Sequence, residues 1–299
     1  QSVEYELPPP IKGAWPKIWR DVVKIQKSQG WEVKRPSVLE PVGLACHENV
    51  VYAARGERKL KLDLYLPAKL ALPPLVVIIH GGGWKKGSKE SQRNQAVWFA
   101  SRGYAVAAIE YRLSGEALFP AALDDCEGAI DWLKKQSAIY GYDSQRIAVW
   151  GGSAGAHLAA LVATTHSSVK AAMVIAGPVD LMSEKVREVS QDPESNYVKF
   201  LGGSLDQKTK LYEQASPMAH VSESTPPIFF VTERPLEEAA PFLERLKAHG
   251  VYYETMRLAG GIHGHWNWEP WFTATMDRCD AFLKRALAAT GSWGDPGGE

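Results

Sequence analysis

The chain is expected to fold as an α/β domain, with a mostly parallel central sheet and helices on both faces. Short apolar runs recur from residue 50 onwards, stretches of helical spacing separate them, and glycine-rich turns stand at the ends of two runs. The first strand, Leu60 to Leu66, alternates as a partly exposed strand does and ends at Pro67. The runs at Leu75 to Ile79, Ala105 to Ile109, Ile147 to Trp150, Ala172 to Ile175, Ile228 to Val231 and Tyr252 to Leu258 follow. Helices are expected at Ser91 to Ser101, Ala121 to Lys135, Ala154 to Thr164, Leu236 to His249 and Trp271 to Ala289.

Three segments divide the 299 residues: an N-terminal extension over 1–45, a main domain over 46–290, and a short tail over 291–299. In the extension Pro8, Pro9 and Pro10 break structure, and Trp15, Ile18, Trp19, Val22 and Val23 have the spacing of one amphipathic helix within 15–27. The tail carries four glycines and Pro296 and has nothing to bury. Residues 180–216 are polar and irregular and lie between two strands, where an insertion shapes a substrate pocket.

Composition narrows the function. Apolar residues make up 45% and charged residues 23%, the balance of a globular chain. Lys plus Arg equals Asp plus Glu at 34 each, so no basic field attracts nucleic acid or an anionic membrane. No apolar run approaches the roughly 20 residues that span a bilayer. The expected partner is a small-molecule or carbohydrate substrate. Cys46, Cys126 and Cys279 are too few and too scattered for a disulfide framework. No His/Cys/Asp spacing suggests a metal site, and no cofactor is expected. The chain begins at Gln1 rather than Met, which inclines the reading towards an exported protein, secreted or periplasmic, with a trimmed sequence and a cytoplasmic protein as the alternative.

Gly151-Gly152-Ser153-Ala154-Gly155 matches G-x-S-x-G, follows the strand Ile147 to Trp150, and opens the helix at Ala154. That context exposes the Ser153 hydroxyl on a tight turn and aims helix N-terminal amides at developing negative charge. His80-Gly81-Gly82-Gly83-Trp84 follows the strand Leu75 to Ile79 and resembles the glycine-rich oxyanion loop of lipases and esterases. Amides of Gly82, Gly83 and Ala154 are thus the candidate oxyanion hole, with His80 a brace. Two loop histidines, His263 and His265, follow the last strand and qualify as general base. Trp84 and Trp266 flank the two loops and are candidate substrate-binding faces, although burial in the core explains any one tryptophan.

Together with Tyr65-Leu66-Pro67, Glu110-Tyr111-Arg112-Leu113, Phe119-Pro120-Ala121-Ala122, the segment 143–161 and Ser216-Pro217 followed by Pro226-Pro227, these motifs resemble the esterase/lipase branch of the α/β-hydrolases. That branch includes hormone-sensitive-lipase-like enzymes and bacterial acetylxylan and feruloyl esterases. The resemblance covers residues 48–290 and implies the α/β-hydrolase fold and serine-dependent cleavage of short acyl esters, with acetyl or feruloyl groups on plant polysaccharide as first choice and a broad short-chain carboxylesterase as second. It favours His263 as base through its G-x-x-H-G loop, leaving His265 second. Gly155-Ala156-His157-Leu158 also resembles kynurenine formamidases, so an amide substrate is an alternative. The chain departs from the pattern at the acid. The resemblance implies an Asp in a loop after the Ile228 to Val231 strand, where this sequence reads Thr232-Glu233-Arg234-Pro235. Glu233 inherits the role, with Glu237 and Asp180 as alternatives. The missing Asp also motivates a rival reading, a binding protein that kept the fold and lost activity.

Overall fold

The computed structural model describes residues 2–5, 34–37, 39–68, 70–258 and 261–288. The helix expected within 15–27 and the tail 291–299 lie outside the described residues. The strands are β1 (Ser2–Tyr5), β2 (Leu44–Arg55), β3 (Arg58–Pro67), β4 (Pro74–Ile79), β5 (Ala105–Ile109), β6 (Asp143–Gly152), β7 (Val169–Ile175), β8 (Ile228–Thr232) and β9 (Tyr253–Leu258). They form one sheet in the order β1-β9-β8-β7-β6-β4-β5-β3-β2. Every pair from β1 to β5 is parallel, whereas β3 runs antiparallel to β5 and to β2.

The helices are α1 (Arg93–Ser101), α2 (Ala121–Tyr140), α3 (Ala154–Thr165), α4 (Glu184–Val189), α5 (Asn196–Leu201), α6 (Thr209–Gln214), α7 (Ala240–Ala248) and α8 (Trp271–Ala286). None among the described residues is long and apolar enough to cross a membrane. The period of two along β4 sends Leu75, Val77 and Ile79 into a core shared with Ile130 and Leu133 of α2 and Leu158 of α3. Val76 and Ile78 enter the opposite core, with Val97 and Phe99 of α1 and Phe282 of α8. Burial on both faces explains why these strands read as continuous apolar runs. Each such side chain contributes about 1.5–3 kcal/mol by leaving water.

Three features differ from the sequence expectation. The strand β2 carries mostly exposed residues at the sheet edge, so it shows no apolar pattern. Residues 180–216 are not irregular: they fold into α4, α5 and α6, the first two started by Ser183 and Ser195, whose hydroxyls accept from Val186 and Val198 N–H. The stretch expected to form one helix from Leu236 begins as a 3-10 turn, Leu236–Ala239, before α7.

Candidate active site

The residues singled out above converge at the carboxyl ends of the parallel strands, where open α/β sheets bind ligands. Ser153 follows β6, the Gly81 to Gly83 loop follows β4, Glu233 follows β8 and His263 follows β9. Ser153 adopts φ 56°, ψ −121°, a conformation that costs on the order of 1–3 kcal/mol and persists only when its surroundings impose it. They do so through glycine: a Cβ on Gly151 would stand 2.1 Å from the Gly155 carbonyl oxygen, and one on Gly155 would stand 2.1 Å from that of Ile79. Strand, turn and helix therefore close on one another with only a serine hydroxyl projecting.

Ser153 Oγ lies 2.9 Å from His263 Nε2, and His263 Nδ1 lies 3.0 Å from Glu233 Oε1. A carboxylate only accepts, so Nδ1 carries the proton and donates to Glu233, leaving Nε2 to accept from the serine hydroxyl. The Glu233 side chain is only 1% exposed, whereas His263 is half open to solvent. Burial alone works to raise the Glu233 pKa. The His263 hydrogen bond, helped by the electrostatic influence of the two nearby imidazoles, outweighs it and holds the carboxyl below its ordinary value. The two alternative acids stand elsewhere: Glu237 is exposed in the 3-10 turn, and Asp180 Oδ1 accepts from Met182 N–H at 2.8 Å.

On the other side of Ser153 the glycine loop approaches so closely that a Cβ on Gly81 would stand 2.5 Å from the Gly152 carbonyl oxygen. The amides of Gly82, Gly83 and Ala154 donate to no other described residue. Gly83 and Ala154 line the same cavity as Ser153 and His263, and Gly82 makes the turn behind them, its carbonyl accepting from Lys85 and Lys86 N–H. The cavity holds about 480 Å³, within the ordinary range of ligand sites. Its far wall comes from the loop after β7, from α4 and α5, and from the β8 end, including Asp180, Lys185, Asn196, Tyr197 and Arg234. Among the described residues no cluster of three or more His, Cys, Asp or Glu could hold a metal ion.

The two tryptophans have different surroundings from those a substrate-binding role requires. Trp84 borders the cavity but is 4% exposed, and its ring is taken up by Phe200. Trp266 is 3% exposed and does not border the cavity. Its ring meets His263 edge-on at 5.5 Å and fills the space where a Gly152 Cβ would sit, so it supports the base loop from behind. His265 is likewise fully buried and faces no substrate space. The second candidate base therefore stands apart from the cavity, and it is His263 that meets Ser153.

Burial pushes His80, His157 and His265 down to about 4. The folded chain thus holds fewer protons than the unfolded chain between about pH 6.5 and about pH 4. Stability is full above that window, falls as pH drops through it, and levels below, each histidine contributing on the order of 3 kcal/mol. Thermal melting from pH 7.5 to pH 4 is expected to show a steep loss of Tm across the window. A Tm that holds down to pH 4 would count against three buried neutral imidazoles.

A serine, a histidine and a carboxylate in hydrogen-bond sequence at the carboxyl edge of a mostly parallel sheet, beside a glycine loop, define an α/β-hydrolase. The chain belongs to the BD-FAE family, whose family model matches residues 62–234. It is 29% identical to Esterase LipC of Mycobacterium tuberculosis over 227 residues, 67% of this chain and 54% of LipC, so it spans little more than half of that relative. It is 29% identical to Carboxylesterase NlhH of the same organism over 292 residues, 90% of this chain and 91% of NlhH. Among solved structures, a bifunctional GH43-CE of Bacteroides eggerthii superposes with a TM-score of 0.72 at 26% identity, covering 81% of this chain and 38% of that one. The thermophilic esterase Est2 of Thermogutta terrifontis, solved with propionate bound, superposes at 0.68 and 29% identity over 85% of this chain and 98% of its own.

Proposed function

We propose that the protein is a serine carboxylic-ester hydrolase for short acyl esters, with acetyl or feruloyl groups on plant polysaccharide fragments as the first choice of substrate. The observation that carries the reaction is the unbroken sequence Ser153 Oγ to His263 Nε2 at 2.9 Å and His263 Nδ1 to Glu233 Oε1 at 3.0 Å. His263 removes the Ser153 proton as the oxygen attacks the ester carbonyl, and the amides of Gly82, Gly83 and Ala154 hold the tetrahedral oxyanion. His263 then protonates the departing alcohol. It next activates the water that frees the acid from the acyl-enzyme, while Glu233 keeps its ring in the Nδ1–H tautomer. The same geometry weighs against an inactive binding protein, because Glu233 fills the place of the missing Asp.

The cavity wall is mixed: Asp180, Lys185, Asn196 and Arg234 offer partners to an alcohol that carries hydroxyl groups, beside apolar residues such as Val186 and Phe242. The esterase names of LipC, NlhH and Est2 support the second reading, a broad short-chain carboxylesterase. The formamidase alternative rests on the Gly155-Ala156-His157-Leu158 motif, whose His157 is buried and does not border the cavity, and N-formylkynurenine tests it directly. Rates on acetylated xylan fragments, methyl ferulate, p-nitrophenyl acetate and N-formylkynurenine are the test. The polysaccharide reading expects kcat/KM on one of the first two to exceed that on p-nitrophenyl acetate. Equal rates across simple esters with none on xylan fragments or methyl ferulate would favour the broad carboxylesterase.

A further inference from the structure

His157 stands one turn into α3, its N–H bonded to the Ser153 carbonyl at 3.1 Å, and its side chain is fully buried. Its Nε2 lies 2.7 Å from the Ala215 carbonyl oxygen, which can only accept, so Nε2 carries the proton. Nδ1 is then a bare acceptor, and the Trp84 indole N–H donates to it at 3.2 Å. Only the neutral ring satisfies both bonds, and burial keeps it neutral down to about pH 4.

Trp84 directly follows Gly82 and Gly83 and adopts φ 58°, which a tryptophan holds only under external constraint. Its ring stacks on Phe200 of α5 at 4.7 Å, and its carbonyl accepts from Ser114 N–H at 2.8 Å. Neither contact refers the loop to the nucleophile. The His157 bond does, because His157 and Ala154 lie on the same first turns of α3. An oxyanion hole assembled from two chain segments needs donors at about 2.7–3.1 Å from one oxygen, and misplacement by about 1 Å costs on the order of 10²-fold in rate.

We propose that His157 is a positioning residue of the oxyanion hole: through the Trp84 indole it fixes the Gly83 amide relative to the Ala154 amide, and through Ala215 it ties both to the end of the 180–216 segment. This rests on the reading of those amides given under Proposed function.

Steady-state kinetics on p-nitrophenyl acetate with the full chain test it. Wild type and Ser153→Ala come first: absence of serine-dependent turnover sinks the esterase reading and this one with it. Given turnover, Trp84→Phe keeps a ring against Phe200 and removes the donor with part of the indole, whereas His157→Leu removes the acceptor, and the bond to Ala215 with it, at similar volume. Each is expected to lower kcat about 10–100-fold with KM within about threefold. The double variant should be no slower than the worse single, since either change alone already breaks the bond the two residues share. His157→Gln, which keeps an acceptor, should recover part of the rate. If His157→Leu does not fold, Trp84→Phe decides alone. A kcat for Trp84→Phe within about twofold of wild type, or losses that multiply in the double variant, would overturn the proposal.

Discussion

Ser153→Ala is expected to lower kcat on p-nitrophenyl acetate by about 10⁴–10⁶ while leaving the fold intact. The hydroxyl makes one side-chain hydrogen bond, to His263, and the turn that carries it is closed by Gly151 and Gly155 rather than by the serine side chain. Removing the oxygen therefore deletes the attacking atom and little else. Folding is checked by the melting temperature and by retention of the near-ultraviolet tryptophan signal. An organophosphonate should add its mass to the peptide containing Ser153 in the wild type and not in the variant. A folded variant keeping more than about a tenth of wild-type activity would remove Ser153 from the reaction.

The second large effect is expected at the acid. In Glu233→Gln the isosteric amide offers an N–H as readily as an oxygen to His263 Nδ1, so the ring is no longer held in the tautomer that leaves Nε2 free to accept. The loss in kcat should be on the order of 10⁴ with little structural change. Glu237→Gln and Asp180→Asn should change kcat by less than about tenfold, because neither side chain is hydrogen-bonded to His263. A damaging Asp180→Asn with an innocuous Glu233→Gln would move the acid to the β7 side of the cavity.

The core strands were legible because burial on both faces leaves β4, β5, β7 and β8 with runs such as Val76 to Ile79, which no solvated segment resembles. The elbow and the glycine loop were legible because close backbone approach excludes a Cβ, and only glycine records that in a sequence. Glu233 could be placed by its position at the end of β8, although its type departs from the resemblance. β2 was not legible, since an edge strand with exposed residues lacks alternation. The helices α4, α5 and α6 are six residues each, shorter than the window in which helical spacing shows. Trp266 was assigned to the substrate because a sequence gives its distance from His263 along the chain but not the side from which it packs. The bond between Trp84 and His157 spans 73 residues, and nothing in either residue's neighbourhood announces it.

The 180–216 segment has its two ends fastened together, with Leu181 N–H donating to Ser216 Oγ at 3.1 Å. Many of its remaining polar contacts close within it, as between Leu205 N–H and Ser190 Oγ or Tyr212 Oη–H and the Gly203 carbonyl. It behaves as a cassette: it forms one wall of the cavity, leaves the sheet after β7 and returns to it at β8, and contains none of the three groups that move protons. Sequence changes confined to this loop can therefore reshape the cavity wall while Ser153, His263 and Glu233 keep their places at the strand ends beneath it.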